Sequence, residues 1–347
     1  MTNYTIKILL IIVIALTISS CDKTINSVNN GQTVGSGRRD YEWTVDTLKL
    51  GWDVFYGRQM WGSSASDVWL VGSSDASWNA IWHYNGVRWE KDSMSRNVDP
   101  TAIWGFSQND VWLGNSDGTF WHYDGNKWTK FSEHRIPDYD RLITQGIWGN
   151  AANDVWAVGF ADTYNGQKPY RGTLMHFDGI YWTFVQVPDL RVSFVRIRKQ
   201  KTSSLLFLGA WSTNNAVGDI YKLYAFDGTN MREVFSGSSW GNLEDVNGEI
   251  YYVKQGVVYK YRDNELYVWK DFGQTTNIGL MIGRNEKDFF GEQKGGGILH
   301  YNGTDLKLVY PITAEVCGAC IFQRDVFFEC EDLSIGLHVI IHGKLKE

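Results

Sequence analysis

Four histidines sit in one recurring setting. His83, His122, His176 and His300 are each followed by an aromatic residue and then by an Asn-Gly or Asp-Gly pair. Imidazole carries protons near neutrality and ligates transition metals, so a convergent set of four would be a catalytic or metal centre. A second candidate is the Cys317-Gly318-Ala319-Cys320 motif, with Cys330 ten residues further on. A Cys-x-x-Cys pair supports redox chemistry where a helix start lowers one thiol's pKa. Both sets have to be weighed against the elements that position them.

Those elements repeat. Trp61-Gly62 with Asp67-Val68-Trp69 returns as Trp104-Gly105 with Asp110-Val111-Trp112, and again as Trp148-Gly149 with Asp154-Val155-Trp156. Each copy is followed by His-Tyr-Asn-Gly, His-Tyr-Asp-Gly or His-Phe-Asp-Gly and then by Trp89, Trp128 or Trp182. The turn signal continues through Asp227-Gly228, Asp263-Asn264, Asn302-Gly303 and His342-Gly343, so successive turns lie 36 to 54 residues apart and define seven units. Units of this length, built of short strands, are the mark of propeller blades. Composition agrees: 17 Trp, 18 Tyr and 36 Gly against 5 Pro favour many strands joined by tight turns. The expected fold is all-β, a seven-bladed β-propeller of four-stranded antiparallel blades over residues 41–347. In each unit strand A ends near Trp-Gly, B is Asp-Val-Trp-x-Val, C ends in His-Tyr and D surrounds the last Trp. The final unit is too short for its outer strand, and Tyr41-Glu42-Trp43-Thr44-Val45 has the pattern of a D strand. This N-terminal segment is expected to close the last blade and cover its edge.

Repetition decides the histidine question. Equivalent positions in successive blades are rotated around the ring and cannot converge on one ion. Each His is instead expected to bond the Asp that opens strand B of its own blade: Asp67 with His83, Asp110 with His122, Asp154 with His176 and Asp288 with His300. Blade four has Ser204 and Ala225 and loses both partners. Blade five keeps opposite charges as Glu249 and Lys260, and blade seven, with Asp325 and Ile341, is the exception. The cysteines leave three readings open: a catalytic pair, a disulfide between Cys317 or Cys320 and Cys330, or buried free thiols. No βαβ context supports the first. Ser116-Asp117-Gly118-Thr119-Phe120-Trp121 departs from the Asp-box turn of sialidase-like propellers and reads as a B to C hairpin. Nucleophile elbows, phosphate-binding glycine loops and two-Cys-two-Cys zinc spacings are missing, so neither cofactor nor metal is expected.

The Trp-Gly, Asp-Val-Trp and His-Tyr-Asp-Gly units resemble those of bacterial secreted lipoproteins that carry a β-propeller, strongly up to residue 190 and more weakly beyond. At the N-terminus, Lys7, the apolar run from Ile8 to Thr17 and Ile18-Ser19-Ser20-Cys21 read as a signal peptide over residues 1–20. Ile-Ser-Ser-Cys resembles a lipoprotein cleavage box, which implies acyl chains on Cys21 and a membrane anchor without a spanning helix. Residues 21–40, rich in Asn, Ser and Gly, are expected to be a flexible tether. The implied location is the bacterial cell envelope, at the outer membrane, although Asp22 resembles the inner-membrane retention signal of some bacteria.

A formal charge of -6 excludes a general nucleic-acid binder. Propellers host enzymes and binding platforms alike, so the fold does not choose between them. The B to C loops at 73–79, 160–172 and 210–218 escape the repeat and carry Trp78, Tyr164, Tyr170, Arg171 and Trp211, residue types suited to recognition. Arg196 and Arg198, alternate residues of the inner strand of blade four, are a second candidate that would face the channel and attract an anion. The reading is a protein- or glycan-binding module. The alternatives are a carbohydrate hydrolase or lyase with converging acids in the channel, and an envelope-assembly scaffold.

Overall fold

The computed structural model describes residues 36–50, 54–75, 79–92, 98–214, 218–273, 278–293, 295–332 and 337–347. The leader, Cys21, most of the tether and Trp78 lie outside them. The described strands form seven four-stranded antiparallel sheets.

Blade one is β2–β5 (Phe55–Ser64, Asp67–Ser74, Ile81–Tyr84, Trp89–Lys91) and blade two β6–β9 (Pro100–Ser107, Asp110–Asn115, Thr119–Tyr123, Trp128–Glu133). Blade three is β10–β13 (Arg141–Ala151, Asp154–Asp162, Arg171–Phe177, Trp182–Phe184) and blade four β14–β17 (Ser193–Lys199, Leu206–Asn214, Gly218–Phe226, Met231–Gly237). Blade five is β18–β21 (Asn242–Val246, Glu249–Lys254, Val257–Arg262, Glu265–Asp271) and blade six β22–β25 (Ile278–Asn285, Asp288–Gln293, Ile298–Tyr301, Leu306–Tyr310). Blade seven combines β26–β28 (Glu315–Ile321, Asp325–Asp332, Leu337–Leu345) with β1 (Tyr41–Thr47) as its outer strand.

The motif residues fill the space between blades. A side chain at Gly105 would collide with the Trp61 ring and one at Gly149 with Phe106 and Trp104, so each Trp-Gly glycine makes room for aromatic rings of the preceding blade. The strand B tryptophans reach the other way. Trp69 meets Trp128 at 5.4 Å and 87°, and Trp112 meets Trp182 at 5.6 Å and 79°. Edge-to-face contacts of this kind add to the burial of large aromatic surfaces.

The Asp-Gly turns are built differently from a two-residue hairpin. Tyr123 pairs with Trp128, which leaves a four-residue loop, and Asp124 Oδ1 accepts the amides of Asn126 (2.9 Å) and Lys127 (3.0 Å). Gly125 takes the positive φ of 93° that this turn requires. The preceding Tyr123 hydroxyl donates to the Gly125 carbonyl at 3.1 Å, as Tyr84 and Tyr301 do in their own turns, whereas Phe177 contributes packing alone. Only blade five uses a two-residue C to D turn, Asp263-Asn264, with φ of 53° and 70°.

One expectation for blade seven is corrected. His342-Gly343 is not a turn: β28 runs through it, pairing with Asp325–Asp332 on one side and with β1 on the other. The outer strand of this blade is β1, so no C to D turn joins it to β28. Trp43 lies opposite Gly343, packs against Tyr41 (5.4 Å) and Tyr310 (5.3 Å), and a side chain at Gly343 would strike its ring. The packed body also begins before residue 41, since the Gly37 amide donates to the Lys287 carbonyl at 3.0 Å and Arg39 reaches Asp305 at 2.6 Å.

Trp43→Ala should therefore cost about 2 kcal/mol, as partial loss of a large aromatic contact does, read as a lower urea midpoint. An unchanged midpoint would mean that β1 adds nothing to ring closure.

Candidate functional site

In four blades the predicted pairs are hydrogen bonded. The Nε2 to Oδ1 distances are 2.6 Å for His83 and Asp67, 2.8 Å for His122 and Asp110, 2.9 Å for His176 and Asp154 and 2.8 Å for His300 and Asp288. Blade seven is no exception: His342 Nε2 meets Asp325 Oδ1 at 2.7 Å. The residue opposite Phe327 is His342, not Ile341, a one-residue offset that moves a side chain to the other face of the sheet. In blade five Lys260 bonds Glu286 of the neighbouring blade at 2.8 Å.

Each bonded His also supports an aromatic ring of strand B. The centroid distances are 3.9 Å for Trp69 on His83, 4.5 Å for Trp112 on His122, 4.2 Å for Trp156 on His176, 4.4 Å for Phe290 on His300 and 4.0 Å for Phe327 on His342. Burial alone would raise the carboxyls of Asp67, Asp154 and Asp288, but the histidine bonds, joined by Ser63, Trp156 and Arg284 respectively, leave them below the usual range. These groups belong to the scaffold.

The three cysteines are free thiols, Cys320 and Cys330 buried and Cys317 half-buried, so the disulfide to Cys330 does not form. Cys330 and Cys320 enter different apolar clusters, one facing blade six and the other blade one. Burial pushes all three thiols up, the reverse of what a redox pair needs.

The channel offers the site with the most recognisable chemistry. Inner strands of all seven blades surround a cavity of about 780 Å³ that extends to the A to B turns. Its wall is divided. Trp61, Trp104 and Trp148 make one side largely aromatic, with Arg58 beside Trp61 in β2, while Arg196, Arg198 and Lys199 concentrate positive charge on the side next to it. Arg198 is held by Glu244 at 3.3 Å, and Lys199 lies 6.0 Å from the Trp148 ring and 3.6 Å from Asp154. Arg196 is enclosed by protein yet keeps part of its surface open to the channel. Its guanidinium has no hydrogen bond or ion pair among the described residues. Burial pushes its pKa down, Glu244 pulls it up, and Arg198 pushes it down again.

The B to C rim is organised otherwise. Tyr170 and Trp211 meet edge to face at 5.6 Å, with Phe160 5.0 Å from Tyr170. Tyr164 stands apart under Arg141 at 5.2 Å, and Arg171 faces Asp189 at 3.9 Å. None of these rim residues lines the channel cavity. Trp61, Trp104 and Trp148 were legible only as packing residues, since their motif looks the same whether the ring faces a neighbour or a cavity.

No protein-family model matches the chain, and no curated protein matches it. Among solved structures it is similar to YCF48 bound to a D1 peptide, with a TM-score of 0.61, 12% identity and coverage of 90% of this chain and 100% of that one. It is also similar to the extracellular domain of a B. thetaiotaomicron protein described as a hybrid two-component system, with a TM-score of 0.52, 12% identity and coverage of 88% of this chain and 40% of that one. At these identities the likeness establishes the propeller fold, which is consistent with a binding module.

The scaffold role makes two checks. His300 is fully buried, and His300→Ala should cost about 3 kcal/mol by urea denaturation, against about 1 kcal/mol for the quarter-exposed His122. Because the Asp154 carboxyl is depressed in the folded state, the stability it contributes is present above its unfolded pKa of about 3.9 and is lost as pH falls through its folded value. The stability gap between wild type and His176→Ala should thus narrow below about pH 4; a constant gap down to acid unfolding would refute the assignment.

Proposed function

We propose that the protein is a lipid-anchored propeller of the bacterial cell envelope that binds a segment of a partner protein in its central channel. The observation that carries this reading is Arg196: a guanidinium that lines the channel without a hydrogen bond or ion pair among the described residues, beside a wall of tryptophans. A half-buried charge without a partner loses part of its hydration, and a ligand carboxylate is the partner that would offset the cost. The tryptophans supply apolar area for the side chains next to that carboxylate. A peptide with an acidic group beside apolar residues has this combination. Support also comes from the structural neighbour that binds a peptide.

The hydrolase reading receives no comparable support. Of the acids lining the channel, Glu244 is held by Arg198 and Asp245 accepts the Gly248 amide at 3.0 Å inside a turn. They are chain neighbours and not facing members of a pair. The aromatic pair on the B to C rim remains the site for a glycan in the module reading.

Immobilised protein should recover a partner from detergent-solubilised envelope. Arg196→Met should lose it with Tm unchanged or raised, whereas Trp211→Ala should retain it. The reverse pattern would move the site to the rim, and equal recovery by both variants would remove this reading.

A further inference from the structure

A second group of side chains gathers at the seam between blades seven and one. Glu329 and Glu331 are alternate residues of β27 and project from one face of it. His338 of β28 lies directly opposite Glu331. Cys317 is the extra residue of a bulge in β26, inserted between Val316, opposite Cys330, and Gly318, opposite Glu329. A bulge re-aims a side chain, and here it turns the thiol toward the acids. One Sγ and one oxygen from each carboxylate lie within 4.8 Å of one another, and His338 Nδ1 is 3.7 Å from Glu331 Oε2.

The group is unbalanced as it stands. Glu329 has no exposed surface, and neither of its carboxylate oxygens has a hydrogen-bond partner among the described residues. His338 is also buried, and its Nδ1 likewise makes no hydrogen bond. Glu331 accepts the Gly57 amide of β2 at 3.3 Å, and its only ion-pair partner among the described residues is His338. Gly57 also leaves the space above Glu329, since a side chain there would come within 2.5 Å of its carboxylate. A carboxylate without a counter-cation should not be buried in this way unless it keeps its proton or holds a cation. Burial and then Glu331 push the Glu329 carboxyl up to about 8, and the Cys317 thiol pulls slightly the other way without making a hydrogen bond.

We propose that Cys317, Glu329, Glu331 and His338 form a structural site for a divalent transition metal of the zinc type. A thiolate, an imidazole and two carboxylates are a donor set that zinc accepts in a tetrahedron and that calcium or magnesium does not favour. Zinc ligands at about 2.0–2.3 Å lie roughly 3.3–3.8 Å apart, so small rotamer adjustments bring the thiol and the two carboxylates into range, and His338 joins them from the Glu331 side. Cys317 lines the channel cavity, which gives the ion a route in. A sugar or peptide has no such access to Glu329. Loading releases the Cys317 proton, because zinc takes the thiolate. The bound ion would link strands A, B and C of blade seven, and through Glu331 would hold β2 of blade one.

The test uses the full chain, tag removed, stripped with chelator and titrated with Zn²⁺ and separately with Co²⁺. One equivalent of zinc should bind and raise Tm, and cobalt should show a thiolate charge-transfer band. Glu329→Gln keeps the shape of the side chain and should weaken zinc affinity at least tenfold. Cys317→Ser should abolish the cobalt band. Wild-type protein that takes up no zinc, or variants that bind both metals as wild type does, would overturn the site and leave a proton as the only partner of Glu329. Arg196→Met should load zinc normally, so failure of this site and failure of the channel reading are separate results.

Discussion

The ring depends on a three-part contact made inside single blades: an aspartate at the start of strand B, a histidine near the end of strand C, and an aromatic ring two residues after the aspartate. The Asp carboxylate fixes the imidazole through Nε2, and the imidazole offers a flat face to the strand B ring. That ring then meets the next blade, as Trp69 meets Trp128. A hydrogen bond within one sheet thereby sets the orientation of the side chain that joins two sheets. Five blades keep the arrangement, with Phe290 and Phe327 standing for Trp in the last two of them. Blades four and five lack it and rely on apolar filling around Phe207, Tyr252 and Tyr261 and on the Lys260 to Glu286 bridge.

Departure from the repeat coincides with the channel charges. Blades one to three each give the channel a tryptophan from the same motif position. Blade four, which has lost its Asp and His, gives Arg196, Arg198 and Lys199. Identical blades would line a channel with identical side chains and produce no directional site. The divided wall exists because the copies have diverged, and it is the division that suits a ligand with an apolar part and a charged part.

Blade seven is under other constraints. It contains the junction of the two chain ends and the bulge at Cys317. An outer strand taken from the N-terminus closes the ring through the whole register from Tyr41 to Thr47. The seam toward blade one is made of buried acids as well as apolar contacts, so its strength is tied to whatever neutralises Glu329.

The spacing of Trp-Gly, Asp-Val-Trp and Asp-Gly was sufficient to determine the number of blades, the order of strands and the identity of the closing strand. Local motifs that recur in the same order must occupy equivalent positions, and equivalence in a β structure means a ring or a stack. Four histidine partners were legible for the same reason. His342 was misread because a turn motif and a strand end look alike when the chain is about to stop, and only the register against Asp325 separates them. The path of Gly37 and Arg39, the inward face of Trp61, Trp104 and Trp148, and the meeting of Cys317 with Glu329 and His338 were decided by tertiary structure. Each depends on which face of a strand a neighbouring blade covers, a relation between residues far apart in the chain that no local spacing encodes.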